Sequence, residues 1–531
     1  MSFASYQFAL FMVVLFLIYY LGPKRWQWPL LLIGSYIFYL FSGAWNLVYI
    51  LFTTVTTWYL AKKIGENWDE THAYLAEHKA VLSRSERKEY KNAQQKRRQH
   101  LLLACILLDI GLLAVVKYTD FMISNVNGVL AFFGADGRLS FLDIALPMGI
   151  SFYVFKSVGY VVDVYHEKYA PQGNLCKLAL FVSFFPQLIQ GPISRYDCLS
   201  QTLYGQHDFD MRQFSLGMQR VLWGFFKKLV IADRVLIAVN TIIGDTQTYT
   251  GIWVFVGMVF YALELYADFT GGIDITIGIS QALGIRMEEN FERPYFSKSI
   301  KEYWNRWHMT MGNWFTDYIF YPISVCGPML KLSKKCRRTF GDKFGRRVTV
   351  WLSCLIVWFA TGIWHGASWN FIVWGLGNGI VILISQELIP FYRAFHARFP
   401  GVAGTTGWKI FQILRTNLLM CSLRTFDCYR DVPLTFRMYG TMFTHWNIGE
   451  LASGMLLNLG LSAADYVVLI IGTLCLFSVS MVQRHGPVRE RIAAKPYPLQ
   501  AAVFICLFLA VVVFGIYGIG YDASQFIYNQ F

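Results

Sequence analysis

Apolar residues in this chain gather in long runs instead of alternating with polar ones at the spacing of a soluble amphipathic helix. Such runs occupy 8–21, 101–116, 252–265, 348–359, 371–384, 466–481 and 499–519. A helix that crosses a bilayer needs about 20 consecutive apolar residues. The shorter runs are tolerable in a polytopic bundle, where neighbouring helices cover their ends. The pattern predicts an all-α polytopic integral membrane protein with roughly ten to twelve membrane segments, built as a single domain over 1–531.

Breaks between the runs set the finer organisation. Gly22-Pro23 and Ser42-Gly43 divide 1–61 into three closely packed segments. The stretch 62–100 is rich in Glu, Lys, Arg and Gln and predicts a basic cytoplasmic helix. The chain returns to the membrane over 101–165, interrupted by Gly134-Ala135-Asp136-Gly137. Phe184-Phe185-Pro186-Gln187 and Gln190-Gly191-Pro192-Ile193 then place two prolines in apolar surroundings. Proline lacks a backbone donor and breaks helices, so a broken or re-entrant element buried in protein is expected there. Two or three further segments follow over 216–285. The histidine motifs occupy 286–385, mixed sequence fills 386–463, and two final helices span 464–519 around a last basic loop.

Composition agrees with this pattern. The 531 residues are 55% hydrophobic and only 15% charged, against about 25% charged in soluble domains. The net charge of +14 is concentrated in loops. Ten Lys/Arg lie in 62–98, eight in 331–347, and Arg484, Arg489, Arg491 and Lys495 form a third cluster. This is the distribution of the positive-inside rule and not a nucleic-acid footprint. It places the basic loops, with Lys24 and Arg25, in the cytoplasm and both termini outside, with a short external tail ending at Phe531. The first segment has no basic stretch before it and no small-residue cleavage site, so it reads as a retained helix in a plasma or inner membrane. None of the ten cysteines forms a C-x-x-C pair, and neither a disulfide framework nor a metal site is expected.

Two histidines stand out against this background, because an ionisable group at membrane depth is costly and marks function by default. His308 lies in Tyr303-Trp304-Asn305-Arg306-Trp307-His308-Met309-Thr310. If 300–321 is one helix, Trp304, Trp307, His308, Met311, Trp314, Phe315 and Tyr318 share a face, with Asn305 and Gly312 as the nearest polar neighbours. A buried structural histidine and a functional one both remain open at this position. His365 lies in Thr361-Gly362-Ile363-Trp364-His365-Gly366-Ala367-Ser368-Trp369-Asn370, inside a nearly uncharged run from 348 to 385. Its flanking glycines allow close backbone approach and room for a ligand. Ser368, Asn370 and Asn378 add polar atoms.

Burial keeps an imidazole neutral, and a neutral imidazole can take the proton of a hydroxyl that attacks an acyl carbon. There is no G-x-S-x-G nucleophile elbow, so direct transfer is simpler than a covalent acyl-enzyme. Walker A and H-E-x-x-H motifs are absent. The two histidines lack a third ligand at metal-binding spacing.

The ordered motifs resemble the membrane-bound O-acyltransferase family, in its bacterial branch of alginate O-acetylation and teichoic acid D-alanylation proteins. They run from Leu146-Pro147-Met148-Gly149-Ile150-Ser151-Phe152 through Phe184-Phe185-Pro186, Gly191-Pro192-Ile193 and Phe226-Lys227-Lys228-Leu229-Val230-Ile231-Ala232-Asp233-Arg234. They continue through Tyr266-Ala267-Asp268-Phe269-Thr270-Gly271, Asn290-Phe291 and Pro294-Tyr295 to both histidine motifs and Asp317-Tyr318. The resemblance implies a ring of membrane helices with re-entrant elements around a central tunnel, entered by the acyl donor from the cytoplasm. It implies His365 as the catalytic general base and His308 as the second histidine, orienting or polarising the donor, with Trp304, Asn305 and Trp364 lining the tunnel. It also implies acetyl-CoA as donor, with no permanently bound cofactor. CoA phosphates would meet the basic loops at 62–98 and 331–347. The acceptor would be an extracytoplasmic polysaccharide, reached directly or through an SGNH-like partner. D-alanyl transfer from a carrier protein is the alternative within the family. A non-catalytic acyl transporter or scaffold is the alternative outside it. Two positions depart from the pattern: Asn378 stands where relatives often carry His, and Thr316 where they often carry Arg.

Overall fold

A computed structural model of the chain describes residues 3–135 and 137–517; the expected external tail to Phe531 lies outside the described residues. The described chain is helical. No named strand occurs in it, and one isolated antiparallel bridge joins Phe291 to Trp307. Among the described residues, six helices are long and apolar enough to cross a membrane: Arg84–Phe132, Ile252–Ala282, Asp342–His365, Trp369–Glu387, Ala463–Gln483 and Tyr497–Phe514. The last of these turns much of its apolar surface outward, Ile505, Phe508 and Val513 among it. In water that would be unfavourable; in lipid it is the expected surface. The first three segments form Tyr6–Leu21, Gln27–Leu40 and Leu47–Glu77, separated where Gly22-Pro23 and Ser42-Gly43 predict.

The chain divides into two compact units, 1–214 with 280–287, and 215–279 with 288–531. In the first unit, Leu47–Glu77 packs along Arg84–Phe132. The basic stretch 62–100 is not a helix of its own. Its first part continues Leu47–Glu77 and its last part begins Arg84–Phe132, with a turn between. Nothing in the sequence interrupts either helix where apolar residues give way to charged ones. The 49 residues of Arg84–Phe132 span about 74 Å at 1.5 Å per residue, more than twice the hydrocarbon thickness of about 30 Å. The helix therefore passes from lipid into water along its own length. A capping box at Ser83 and Glu86 closes the start of that helix.

The two helices are tied by polar contacts at two levels. Thr56 and Thr57 each donate to the Asp109 carboxylate at 2.9 Å. Nearer the charged end, Arg98 stacks 3.5 Å over Trp68 and donates to Asn67 at 2.8 Å. The proline-broken stretch behaves as predicted in one respect: Leu175–Ser183 ends before a short turn at Phe185–Gln187, and 178–194 is buried throughout. Gln187 carries the polar load of that break, accepting from Lys156 Nζ at 2.7 Å and donating to Ser194 at 2.6 Å.

The second unit contains both histidine motifs. Met211–Phe225 runs into it and continues as one wide π-type turn, Phe226–Ala232. Such a turn adds a residue to the helical repeat, and here it sends two consecutive lysines inward. Lys228 meets Asp268 at 2.5 Å and Asp233 at 2.8 Å, while Lys227 meets Asp274 at 2.6 Å and Thr270 at 2.8 Å. Asp268 and Asp274 both belong to Ile252–Ala282. Two distant motifs, Phe226-Lys227-Lys228 and Tyr266-Ala267-Asp268-Phe269-Thr270, are thus one buried ionic layer. Buried charges persist only when they are paired in this way.

Candidate active site

His365 is the last residue of Asp342–His365. The next helix, Trp369–Glu387, turns back directly against it. The crossing is close because it is lined by glycine. A Cβ on Gly362 would lie 2.5 Å from the Phe371 carbonyl oxygen, and one on Gly375 would lie 2.4 Å from the Trp358 carbonyl oxygen. The glycines beside His365 therefore serve backbone approach, and the Phe371 ring packs against Gly366 where the sequence suggested room for a ligand. The imidazole is buried among Trp364 (centroids 4.9 Å), Trp374 (4.7 Å) and Phe371 (6.4 Å).

The surroundings of His308 differ from expectation. The segment 300–321 is not one helix. Ile300–Trp304 ends in a turn, and His308 itself adopts left-handed backbone (φ 48°, ψ 53°) at the start of Met309–Phe315. The cause is a pairing the helical pattern could not contain: Glu292 N–H donates to Arg306 O at 2.9 Å, and Met309 N–H donates to Asn290 O at 3.0 Å. These bonds pin 306–309 against 290–292, and a left-handed residue carries the chain out of the bridge and into the next helix. A non-glycine residue held there costs on the order of 1 kcal/mol, and such strain clusters at functional positions.

Asn290 completes the arrangement. Its Oδ1 accepts from Thr310 N–H at 3.1 Å and from Thr310 Oγ1 at 2.9 Å, and it lies 3.1 Å from His308 Nδ1. An oxygen already accepting a backbone N–H is an acceptor for the ring as well, so Nδ1 carries the proton and Nε2 is the basic nitrogen. His308 is completely buried and lies outside the six long apolar helices. That burial, with the nearby Arg424 charge, holds its imidazole far below the ordinary histidine range, at about 3. It is neutral at physiological pH.

The two histidines share a neighbour. Trp364 lies 6.0 Å from the His308 ring and 4.9 Å from the His365 ring. Phe269 closes the other side of His308 at 4.9 Å, edge-on. Trp304 packs on Trp358 (4.7 Å) and Trp374 (6.0 Å), and so belongs to the same cluster. The indole N–H groups of Trp304 and Trp374 are buried with no acceptor among the described residues. Asn305 has an exposed side chain and caps Ile300–Trp304 through its backbone. Ser368 and Asn370 bond to each other at 2.5 Å, and Asn378 donates back to Trp374 O in its own helix.

Sequence reasoning missed one charged residue of this cluster. Arg424, in Thr406–Tyr429, is buried with its guanidinium 4.9 Å from the Trp307 ring, 5.0 Å from Trp374 and 5.7 Å from Trp304. Its nearest carboxylate, Asp427, stands 3.9 Å away. The available signal was an Arg and an Asp three residues apart in an otherwise apolar stretch of the mixed region.

The geometry is that of two buried imidazoles and one caged cation around a tryptophan cluster. Sequence comparison now decides what kind of protein carries it. A model of the MBOAT, membrane-bound O-acyltransferase family matches residues 172–423. The "Probable alginate O-acetylase AlgI" of Pseudomonas aeruginosa is 31% identical over 479 residues, covering 88% of this chain and 81% of the relative. The chain belongs to the membrane-bound O-acyltransferase family. This O-acyltransferase is similar as well to the "Probable alginate O-acetylase AlgI" of Pseudomonas putida, at 30% identity over 94% of this chain and 91% of the relative. The "Teichoic acid D-alanyltransferase" of Bacillus subtilis matches at 28% over 52% of this chain and 66% of the relative. It is a multi-pass membrane enzyme of the acyltransferase class.

Proposed function

We propose that this enzyme moves an acetyl group from cytoplasmic acetyl-CoA to hydroxyls of an extracytoplasmic polysaccharide, directly or through an extracytoplasmic SGNH-like partner. The observation that carries the reading is the convergence of His308 and His365 on Trp364 in a chain whose long-covering relatives are named alginate O-acetylases. The D-alanyltransferase relative matches a smaller part of the chain, which favours acetyl over D-alanyl transfer.

In this reading His365 is the general base. It takes the proton of the acceptor hydroxyl as that oxygen attacks the thioester carbonyl, and the C–O bond forms. The tetrahedral intermediate collapses with cleavage of the C–S bond, and the imidazolium returns the proton to the leaving thiolate. The products are an ester and a free thiol. His308 has a narrower role. With its proton on Nδ1 and directed to Asn290, its Nε2 can accept a hydrogen bond but not donate one. It orients the donor and does not polarise the carbonyl. Arg424 supplies the fixed positive field that favours a developing oxyanion. Trp304, Asn305 and Trp364 line the donor's path. The basic loops face the cytoplasm and both termini lie outside, as the positive-inside rule directs.

The test is transfer of labelled acetyl from acetyl-CoA by the reconstituted full-length protein, comparing wild type with His365→Ala and His365→Gln. Loss of transfer in both variants, with thermal unfolding unchanged, is expected. Equal transfer by wild type and variants would falsify the assignment, and no transfer by wild type would remove acetyl-CoA as donor.

A further inference from the structure

A second constellation lies beside the His308 ring, and the acyl-transfer reading leaves it without a role. Phe291 stacks at 6.5 Å against His308 and also lines a separate cleft. Three cationic side chains line that cleft: Arg220, Lys227 and Arg293. Two carboxylates answer them. Asp274 binds Arg220 Nε at 2.8 Å and Lys227 Nζ at 2.6 Å, and Glu289 takes both terminal nitrogens of Arg220 at 2.6 and 2.5 Å.

The two carboxylates are not equivalent. Asp274 is sheltered, its side chain 16% exposed, and fixes the positions of two cations. Glu289 is 58% exposed and occupies the planar edge of Arg220 that suits a phosphate or carboxylate bidentately. Among the described residues Arg293 has no carboxylate within ion-pair distance. Its backbone is left-handed (φ 49°, ψ 58°) ahead of the Pro294–Phe296 turn. Arg489 adds positive charge nearby, close enough to interact with Arg220, and donates to Leu216 O at 2.5 Å. The cleft wall is thus net positive, with one displaceable carboxylate. It also has a defined side. Gln483, the last residue of Ala463–Gln483, lines it, and the basic cluster from Arg484 to Lys495 follows directly. On the positive-inside placement that end faces the cytoplasm, where the donor arrives.

We infer that this cleft binds a phosphate group of the acyl donor, with Arg293 and the outer edge of Arg220 as its ligands and Phe291 shared between the cleft and the histidine centre. The inference rests on the proposed acyl-transfer function. It places the donor's anionic end here and not on the basic loops at 62–98 and 331–347. Lys227 and Asp274 hold Arg220 in position, and an arriving phosphate displaces Glu289. An anionic lipid headgroup offers the same chemistry and is the competing source.

The test uses full-length protein in nanodiscs of neutral lipid, with CoA as probe, pantetheine as the phosphate-free control, and calorimetric binding as the readout, with no acceptor present. Wild type should bind CoA far more tightly than pantetheine. Arg293→Gln should weaken CoA at least about tenfold, the value of one charge-assisted hydrogen bond, and leave pantetheine unchanged. Glu289→Gln, which leaves Arg220 paired with Asp274 and whose folding is checked by thermal unfolding, should tighten CoA about threefold or more by freeing Arg220. Equal CoA binding by wild type and Arg293→Gln overturns the site. So does abolition of the Arg293 dependence by phosphatidylglycerol in the nanodisc, which gives the cleft to lipid. Neither result touches the acyl-transfer reading, because labelled acetyl transfer by wild type is measured separately.

Discussion

His365 and His308 reach one tryptophan cluster by opposite structural means. His365 ends a 24-residue helix, and its position is set by backbone contact between two helices, with Gly362 and Gly375 at the crossing. His308 sits in a break, in left-handed backbone, with Nδ1 held against the Asn290 side chain. The first site is defined by packing and the second by hydrogen bonding. Packing tolerates loss of a polar partner but not an added atom, while a hydrogen-bonded position has the reverse sensitivity.

The largest effect that would break this comparison belongs to the proposed base. His365→Gln should lower acetyl transfer by about 10²–10⁴, read as kcat at saturating acetyl-CoA, with thermal unfolding close to wild type. If His308→Gln matches it in both kcat and pH profile, the two roles are not distinct. Next comes Arg424→Leu. It leaves Asp427 buried without its cation, a change that costs about 3–5 kcal/mol and should appear as a large drop in unfolding temperature. Little change there would mean that Arg424 contributes field and not stability.

The comparison itself is tested by a pair of milder variants. Gly375→Ala should destabilise by about 1–3 kcal/mol through overpacking, with transfer falling in proportion to folded protein. Asn290→Leu should cost a similar about 1–3 kcal/mol through orphaned donors, but should also lower kcat in the folded fraction, because the His308 tautomer is no longer fixed. Identical behaviour of the two variants would erase the distinction.

The last test is in pH. Below pH 6.5 an unfolded chain protonates His308 while the folded one, with its imidazole held down to about 3, does not. The unfolded state then binds more protons, and stability falls with falling pH by up to about 1.4 kcal/mol per unit. His308→Gln should flatten the stability profile between pH 6.5 and 4 relative to wild type. An unchanged slope would show that the ring is protonated in the folded state.

Much of the molecule was legible in the chain. The apolar runs, the breaks at Gly22-Pro23 and Ser42-Gly43, the proline-broken stretch near Pro186 and the burial of His365 all follow from local properties, namely run length, missing backbone donors and an apolar sequence context. The 300–321 segment was misread for an equally physical reason. Its side chains do repeat at helical spacing, but the bonds to 290–292 outcompete the helix, and periodicity carries no information about a pairing partner.

By itself the sequence determined that this is a polytopic membrane acyltransferase and singled out two histidines as candidates, because burial cost and motif order are properties of the chain. Only the tertiary structure decided that Asn290 fixes the proton of His308, that Arg424 is caged beside the cluster, and that Lys227 and Lys228 face Asp274 and Asp268. Each of those facts depends on side chains from distant segments meeting at hydrogen-bond or ring-contact distance. A linear pattern does not contain such distances; they are set when helices cross.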